Sequence, residues 1–303
     1  MMTSANFYQA IGPFVVKTWG DGREKLEKQY SQIFNVSDTT DPYRRTVEYG
    51  GTGVLTKKFQ GAPVLHQKFN EGMKKQYEAV TWAGSAQITM EALQDLKSKA
   101  KELARGLMDF GYSTEQTPEY ICGLILDRAF NSSYPLTGDG KELCSESHTT
   151  AKGGTQSNAF TTTPQSLSES GIEQMMINLR TVKGPDGMLK PRSLKSIVVP
   201  SALAIRAEKL NLTKKQVGSF NNDVSVVAGT KVIVFDYLVN QTRWFGLTDK
   251  NTESDGLFFE FRSRPDIIFD DLPGTLSKLI VAWFRSITGV GDFRCIWGSA
   301  ATS

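Results

Sequence analysis

Several things are scarce in this sequence, and each scarcity excludes something. Three cysteines, Cys122, Cys144 and Cys295, are too few and odd in number for a disulfide framework, so a reducing compartment is expected. Two histidines, His66 and His148, leave few members for a multi-histidine metal site or for histidine acid–base catalysis. The clearest charge-free apolar run is Leu279 to Phe284, six residues, against the roughly twenty of a membrane helix. The first twenty residues lack the charged start and apolar run of a signal peptide, and a soluble intracellular protein is expected. Lys and Arg number 35 against 32 Asp and Glu, a net charge of +3, which argues against tight nucleic-acid binding over the whole surface. Neither a phosphate-binding Gly-x-x-x-x-Gly-Lys-Ser/Thr loop nor a Gly-x-Ser-x-Gly nucleophile elbow occurs.

What is present is an ordinary globular composition, 39% apolar and 22% charged over 303 residues, long enough to bury a substantial core. Residues 1–40 show no sustained period and read as an arm with little core of its own. Within it, Leu26, Tyr30 and Phe34 are spaced by four and predict a short helix over Arg23 to Phe34. Residues 41–80 contain Gly50, Gly51, Gly53, Gly61 and Gly72 between short alternating pieces such as Val54 to Phe59, the signature of a β-hairpin or extended loop. This segment has seven basic residues (Arg44, Arg45, Lys57, Lys58, Lys68, Lys74 and Lys75) against four acidic ones, an excess equal to the net charge of the whole chain.

The strongest helical pattern starts at Thr89, a plausible N-cap. Leu93, Leu96, Ala100, Leu103, Leu107 and Phe110 then form one stripe, and Gly111 reads as its stop. Thr117 and Pro118 open a second helix to about Phe130. Residues 131–165, rich in Gly, Ser, Thr, Asn and Pro, read as a partly ordered loop. A third helix begins near Ser168 and gives way to turn chemistry at Gly184-Pro185-Asp186-Gly187. Strands are then expected at Leu194–Val199, 224–227, Lys231–Tyr237, Arg243–Leu247 and Leu257–Phe261. Leu279–Phe284 follows as a fully buried central strand, with a short helix from Pro200 to Leu210 between the first two. The class is α+β: an arm, a β-loop, long helices and a mixed-sheet domain.

One cluster suggests chemistry. Cys144-Ser-Glu-Ser-His148 brings a thiol and an imidazole four residues apart, with Cys122 upstream. They suit a shared zinc ion or a nucleophile–base pair. No compact second pair of ligands accompanies them, and a buried thiol beside a loop histidine fits the same residues. The expectation is no metal site, no cofactor and no catalytic residue.

The segment Asp139-Gly-Lys-Glu-Leu-Cys-Ser-Glu-Ser-His148, followed by Gly153-Gly154-Thr155 and Asn158, resembles a loop of the major head subunits of Mu-like tailed phages. In the same order, Ser196-Ile-Val-Val-Pro-Ser-Ala-Leu203, Asn222-Asp-Val-Ser-Val-Val-Ala-Gly229 and Trp244-Phe245 are similar to further pieces of that family. Gly289-Val-Gly-Asp-Phe-Arg294 resembles its closing Gly-x-x-Asp-Trp-Arg, with Phe293 in place of Trp. Together these pieces span roughly residues 85–298.

The resemblance implies a Hong Kong 97-type coat fold. Residues 1–40 would be an N-terminal arm and 41–85 an extended E-loop. Residues 86–169 with 255–287 would form a peripheral domain carrying a long spine helix, and 170–254 with 288–303 an axial domain. It implies a structural capsid protein, not an enzyme, that self-assembles into pentamers and hexamers of an icosahedral head around double-stranded DNA held by weak, non-specific contact. A separate scaffolding protein, a portal and a decoration protein are the further partners implied, and the virion is the implied location. Some relatives carry a long N-terminal scaffolding segment. Only about 40 residues precede the E-loop here, so a separate scaffold or a processed chain is expected. Arg44, Arg45, Lys57, Lys58, Lys74 and Lys75 are the candidate subunit-contact residues, a cationic loop suited to an acidic patch on a neighbour. Two alternatives remain at this point: an encapsulin-like shell enclosing cargo, which has the same fold, and a metal- or thiol-dependent enzyme using Cys144 and His148.

Overall fold

The computed structural model describes residues 4–301 apart from 51–53, 62, 65, 67–69, 90, 92–95, 152, 213–228, 254 and 276. The expected strand over 224–227, Leu93 of the helical stripe, Lys68, Gly51, Gly53 and most of the segment that begins at Asn222 lie outside the described residues.

The chain opens with helix α1 (Ser4–Arg23), a 3-10 turn (Tyr30–Gln32) and strand β1 (Asn35–Asp38). The expected helix over Arg23 to Phe34 is therefore corrected: helix precedes that stretch, and the stretch itself is turn and coil around one 3-10 turn. Its four-residue spacing has a different cause. Tyr30, Ile33 and Phe34 are 2% exposed or less and plug the core, so residues 1–40 hold more core than expected.

Strands β2 (Tyr43–Gly50) and β3 (Asn70–Glu78) pair antiparallel as the arms of the expected hairpin, while Val54 to Phe59 is bend and coil between them rather than strand. Strand β4 (Val80–Thr89) includes Thr89, which pairs with Ser277; residues 90 and 92–95, on which its expected capping role would be read, lie outside the described residues. Helix α2 (Leu96–Asp127) runs unbroken for 32 residues, so the two expected helices are one. Gly111 is there for contact. A Cβ on it would lie 2.1 Å from the Trp19 carbonyl oxygen of α1, and one on Gly22 would lie 2.1 Å from that of Met108. The two helices touch backbone to backbone at these glycines, and Trp19 Nε1 donates to Thr114 Oγ1 at 3.3 Å. Pro118 sits inside α2, where its ring removes one helical hydrogen bond.

Short strands β5 (His148–Thr149), β6 (Thr155–Gln156) and β7 (Ala159–Phe160) order the Gly- and Ser-rich stretch. Helix α3 (Glu169–Arg180) starts as expected, with Ser168 Oγ accepting from Gly171 N. Strand β8 (Leu194–Val199), helix α4 (Ala204–Leu212), strand β9 (Lys231–Val234) and strand β10 (Trp244–Thr248) follow at their predicted places. Strand β11 (Leu257–Leu272) is far longer than the predicted segment, and it pairs antiparallel with β12 (Ser277–Val290). Its register slips around Pro265, between Phe261 and Asp266, which is where a proline is tolerated in a strand. Strand β13 (Ile296–Ser299) closes the described chain.

Two larger sheets result, in the orders β1-β11-β12-β4 and β7-β13-β10-β8-β9. Strand β12 is central as expected, yet over Leu279–Phe284 its burial alternates instead of being complete. One face of the first sheet receives Leu103, Leu107 and Phe110 of α2 with Val15 of α1 against Ile88 and Ile280. The main core joins the two sheets through Tyr30, Phe34, Leu126, Phe235, Phe245, Phe259 and Phe284, and all three cysteines lie in it. A further cluster packs α3, through Ile172, Met175 and Leu179, against Trp244, Ile197 and Trp297 of the second sheet.

Candidate functional site

The basic hairpin is where composition pointed, and its two ends behave differently. At its base, Tyr77 of β3 is buried, and its hydroxyl lies 2.6 Å from the Leu136 carbonyl and 2.7 Å from that of Val290. Its ring meets Phe258 edge-on at 5.3 Å. The Arg44 guanidinium covers the same Phe258 ring at 3.9 Å and ion-pairs with Glu260. Gly289 makes room for this stack: a Cβ there would lie 2.5 Å from the Tyr77 ring and 2.8 Å from Phe258.

A second anchor comes from the closing Gly-x-x-Asp-x-Arg segment. Asp292 Oδ1 accepts from the Arg294 backbone N–H at 3.0 Å and caps the 3-10 turn Phe293–Cys295. The Arg294 side chain, 1% exposed, donates through Nη1 to Glu48 Oε1 at 2.7 Å and to Asp292 Oδ1 at 3.0 Å. Its Nε reaches the Lys183 carbonyl at 2.8 Å. Glu48 sits where the hairpin register slips, between Val47 and Tyr49. One buried arginine thus ties the hairpin to the second sheet.

The 139–148 loop packs onto the same spot. The His148 ring, fully buried, stacks on Phe293 at 4.0 Å, and Phe293 also carries the Arg294 guanidinium at 4.4 Å. His148 Nδ1 lies 2.8 Å from Asp139 Oδ2, which also accepts from Thr149 N at 3.1 Å, while Asp139 Oδ1 accepts from Lys141 N and Thr137 Oγ1. Burial opposes ionisation of Asp139, but the hydrogen bonds from His148 and Thr137 outweigh it and hold the carboxyl well below the usual range. Asn158 completes the cluster, donating to the carbonyls of Leu143, Phe293 and Ile296 and accepting from Ser145 N at 2.8 Å.

This geometry builds no reactive Cys–His pair. His148 Nδ1 is spent on Asp139, and Cys144 lies in the apolar core, where burial pushes its thiol far above the ordinary range and keeps it protonated. Among the described residues, no group of three or more His, Cys, Asp and Glu side chains is arranged to hold a metal ion.

The six basic candidates divide. Arg44 is committed to Glu260 and Phe258 within its own chain. Arg45 donates to Gln76 Oε1 at 3.2 Å, Lys74 ion-pairs with Glu71, and Lys75 reaches the Pro135 carbonyl at 3.3 Å. Lys57 and Lys58 lie on the exposed segment between the strands, Lys57 Nζ 5.4 Å from the Phe59 ring centre. Apolar side chains accompany them there: Val54, Leu55, Phe59 and Val64 are 64–84% exposed. Composition located the hairpin, but counting charge alone overlooked that its tip is apolar as well as cationic.

No family model matches the sequence, and no curated protein matches it. Solved structures do. The chain is similar to a subunit in the procapsid of bacteriophage JBD30, at 12% identity, covering 99% of this chain and 77% of that one with a TM-score of 0.54. It is similar to the capsid of Ralstonia phage GP4, at 9% identity over 89% and 86% of the two chains, TM-score 0.56. It is also similar to the SrpI encapsulin of Synechococcus elongatus PCC 7942, at 9% identity over 91% and 88%, TM-score 0.52. The fold is that of Hong Kong 97-type capsid subunits. In the terms of that fold α2 is the spine helix and β2–β3 the E-loop hairpin. The sequence pieces that resemble phage head subunits, Asp139 to His148, Asn158 and Gly289 to Arg294, meet in one buried cluster at the hairpin base. Tyr77, Glu48 and Gly289 were missed as a group, and what unites them is a contact between strands about 210 to 250 residues apart.

Proposed function

We propose that this chain is the major coat subunit of an icosahedral phage head, assembling as pentamers and hexamers around double-stranded DNA and performing no catalysis. The observation that carries this reading is the hairpin. Its base is locked to the body by Tyr77, Arg44 and the Arg294–Glu48 pair, while its tip exposes Val54, Leu55, Phe59 and Val64 beside Lys57 and Lys58. Exposed apolar groups on a rigidly mounted arm mark an interaction surface, and many such contacts summed over a closed shell give stability that no single one supplies. A second observation supports self-association. Strand β4 is an edge strand of ten residues with no charged residue and no proline, the kind of edge that soluble proteins ordinarily blunt.

In this reading residues 1–40 are the arm, 41–85 the E-loop, 86–169 with 255–287 the peripheral domain and 170–254 with 288–303 the axial domain. Arg45, Lys57, Lys58, Lys74 and Lys75 face a neighbouring subunit, whereas Arg44 serves chiefly to mount the hairpin. The Asp139–His148 loop supports a relation to Mu-like head subunits in particular. A scaffolding protein, a portal and a decoration protein complete the set of partners, with the virion as the final location.

Sedimentation velocity with negative-stain microscopy tests the proposal: shells or rings of five and six are expected, with scaffold supplied if the chain alone stays small. A subunit that remains monomeric with scaffold present overturns it. The similarity to an encapsulin supports a second reading, a shell around protein cargo. The ratio of absorbance at 260 and 280 nm in purified particles separates the two, since only a genome shell carries nucleic acid.

A further inference from the structure

The two larger sheets end in β1 and β4, and in β7 and β9. Three of these edges are closed to further pairing in ordinary ways. Strand β7 has two residues, β1 has four and ends in Asp38, and β9 has four and opens with Lys231. The length of β11 that runs past β1 is blunted too, by Pro265 and by the charges of Arg262, Arg264, Asp266, Asp270 and Asp271. Strand β4 is the exception. Its ten residues contain neither a charge nor a proline, and its ladder to β12 runs without a slip from Val80↔Ser286 to Thr89↔Ser277. Among the described residues, no hydrogen bond outside that ladder reaches the backbone of Val80 to Ile88.

The two faces of β4 differ. Ile88 clusters with Leu107 of α2, a Cβ on Gly84 would lie 3.7 Å from the Phe110 ring, and Trp82 packs against the main core. Thr81, Ala83, Ser85 and Gln87, on the other face, are exposed and neutral.

We propose that β4 pairs antiparallel with β4 of a second copy of this chain, joining two sheets into one across a two-fold axis. The charge pattern selects this occupant. In a two-fold pairing each residue meets its mirror position, so a strand with charge near its centre sets like against like. Strand β3 shows the contrast, because Lys74 and Lys75 at its middle would face their own copies. Among the described strands of eight residues or more, β4 alone is uncharged. Directly opposed residues in a sheet share a face, so the axis is normal to the sheet and sets Gly84 or Ser85 against itself. Either register pairs nearly the whole strand and places α2 of both copies on one side of the joined sheet. Main-chain hydrogen bonds then supply the adhesion, as in strand addition generally.

This contact goes beyond the rings of the coat reading. A ring of five or six is built from heterologous contacts, whereas the β4 pairing is isologous, and in a shell it would tie a subunit of one ring to a subunit of the next. It does not depend on that reading, since a dimer alone satisfies it.

Ser85→Cys carrying a short photo-crosslinker tests the pairing. Cys122, Cys144 and Cys295 are 0% exposed, so the label goes to position 85. In both registers the two side chains at 85 lie within about 8 Å of each other. Peptide mass spectrometry is carried out on assembled particles, or on concentrated subunit if none assemble. It is expected to show the 80–89 peptide joined to itself, a link that only two copies can form. Adding Ala83→Lys and Gln87→Lys, both at exposed positions, is expected to lower the yield of that link roughly fivefold or more with subunit melting unchanged. Links from position 85 only to another segment, no link at all, or an undiminished yield in the lysine variant each overturn the proposal. If the lysine variant does not fold, the identity of the linked peptide decides. Shells without the 85–85 link remove the dyad and leave the coat reading standing, while the link in a protein that forms dimers but no shell with scaffold does the reverse.

Discussion

Replacing Arg294 with alanine is the sharpest test of how the hairpin is mounted. The guanidinium is 1% exposed and serves Glu48, Asp292 and the Lys183 carbonyl at once. Its removal leaves two carboxylates, 13% and 14% exposed, without their cation, and a carbonyl without that donor. Breaking a buried ion pair from one side costs about 3–5 kcal/mol, and the residual access of water to both carboxylates favours the lower end, about 3. For a chain of this size that is roughly 5 °C in melting temperature. Urea unfolding of the isolated subunit followed by circular dichroism measures it. A double-mutant cycle with Glu48→Gln isolates the hairpin's share: Glu48→Gln should be nearly neutral once Arg294 is alanine, giving a coupling energy of at least about 1 kcal/mol. A loss below about 1 kcal/mol for Arg294→Ala, or strict additivity with Glu48→Gln, refutes the assignment of Arg294 as the tie between hairpin and body.

Other predictions follow from the same neighbourhood. Gly289→Ala forces a methyl against the Tyr77 ring and should cost about 1–3 kcal/mol in urea unfolding. Tyr77→Phe leaves the Leu136 and Val290 carbonyls without that hydroxyl, also about 1–3 kcal/mol, and the two changes combined should cost less than their sum. Because the Asp139 carboxyl is held low in the folded state, its contribution is present above its ordinary value of 3.8 and lost as pH falls below it. The stability gap between wild type and Asp139→Asn should therefore shrink on going from pH 5 into strong acid, read by thermal unfolding at each pH. Cys144→Ala should leave assembly intact in sedimentation, whereas Cys144→Ser, which buries a hydroxyl among apolar neighbours, should lower subunit stability by about 1–3 kcal/mol.

Strands β8, β9 and β10 could be read because each is a short run rich in β-branched or aromatic residues. Glycine was harder to interpret. Gly111 has the look of a helix stop, yet it marks the place where α1 lies against α2, and nothing near residue 111 announces a partner at Trp19. The long extension of β11 was hidden because its outer half contains Pro265 and does not alternate in sequence: Ile267, Ile268 and Phe269 run together and Asp270 and Asp271 follow, while only the burial alternates, Ile267 and Phe269 turning inward and Ile268 being 51% exposed. Cys144 and His148 are four residues apart in sequence but enter different environments, one an apolar core and the other a polar loop latch, because the intervening backbone turns between them.

The position of β13 governs the order in which this molecule can fold. It lies between β7 and β10, not at an edge, and it supplies two of the three carbonyl contacts of Asn158 when the 3-10 turn before it is counted. A chain interrupted before Ile296 leaves β7 and β10 with a gap in place of a strand, and it exposes the apolar faces that Ile296 and Trp297 would have covered. Such pairings are far apart along the chain and form slowly. Closure of the second sheet therefore acts as a checkpoint on the length of the polypeptide. An interrupted chain would carry the residues that mount the β2–β3 hairpin on a body whose second sheet is unfinished, and the apolar faces left open there would favour proteolysis or aggregation.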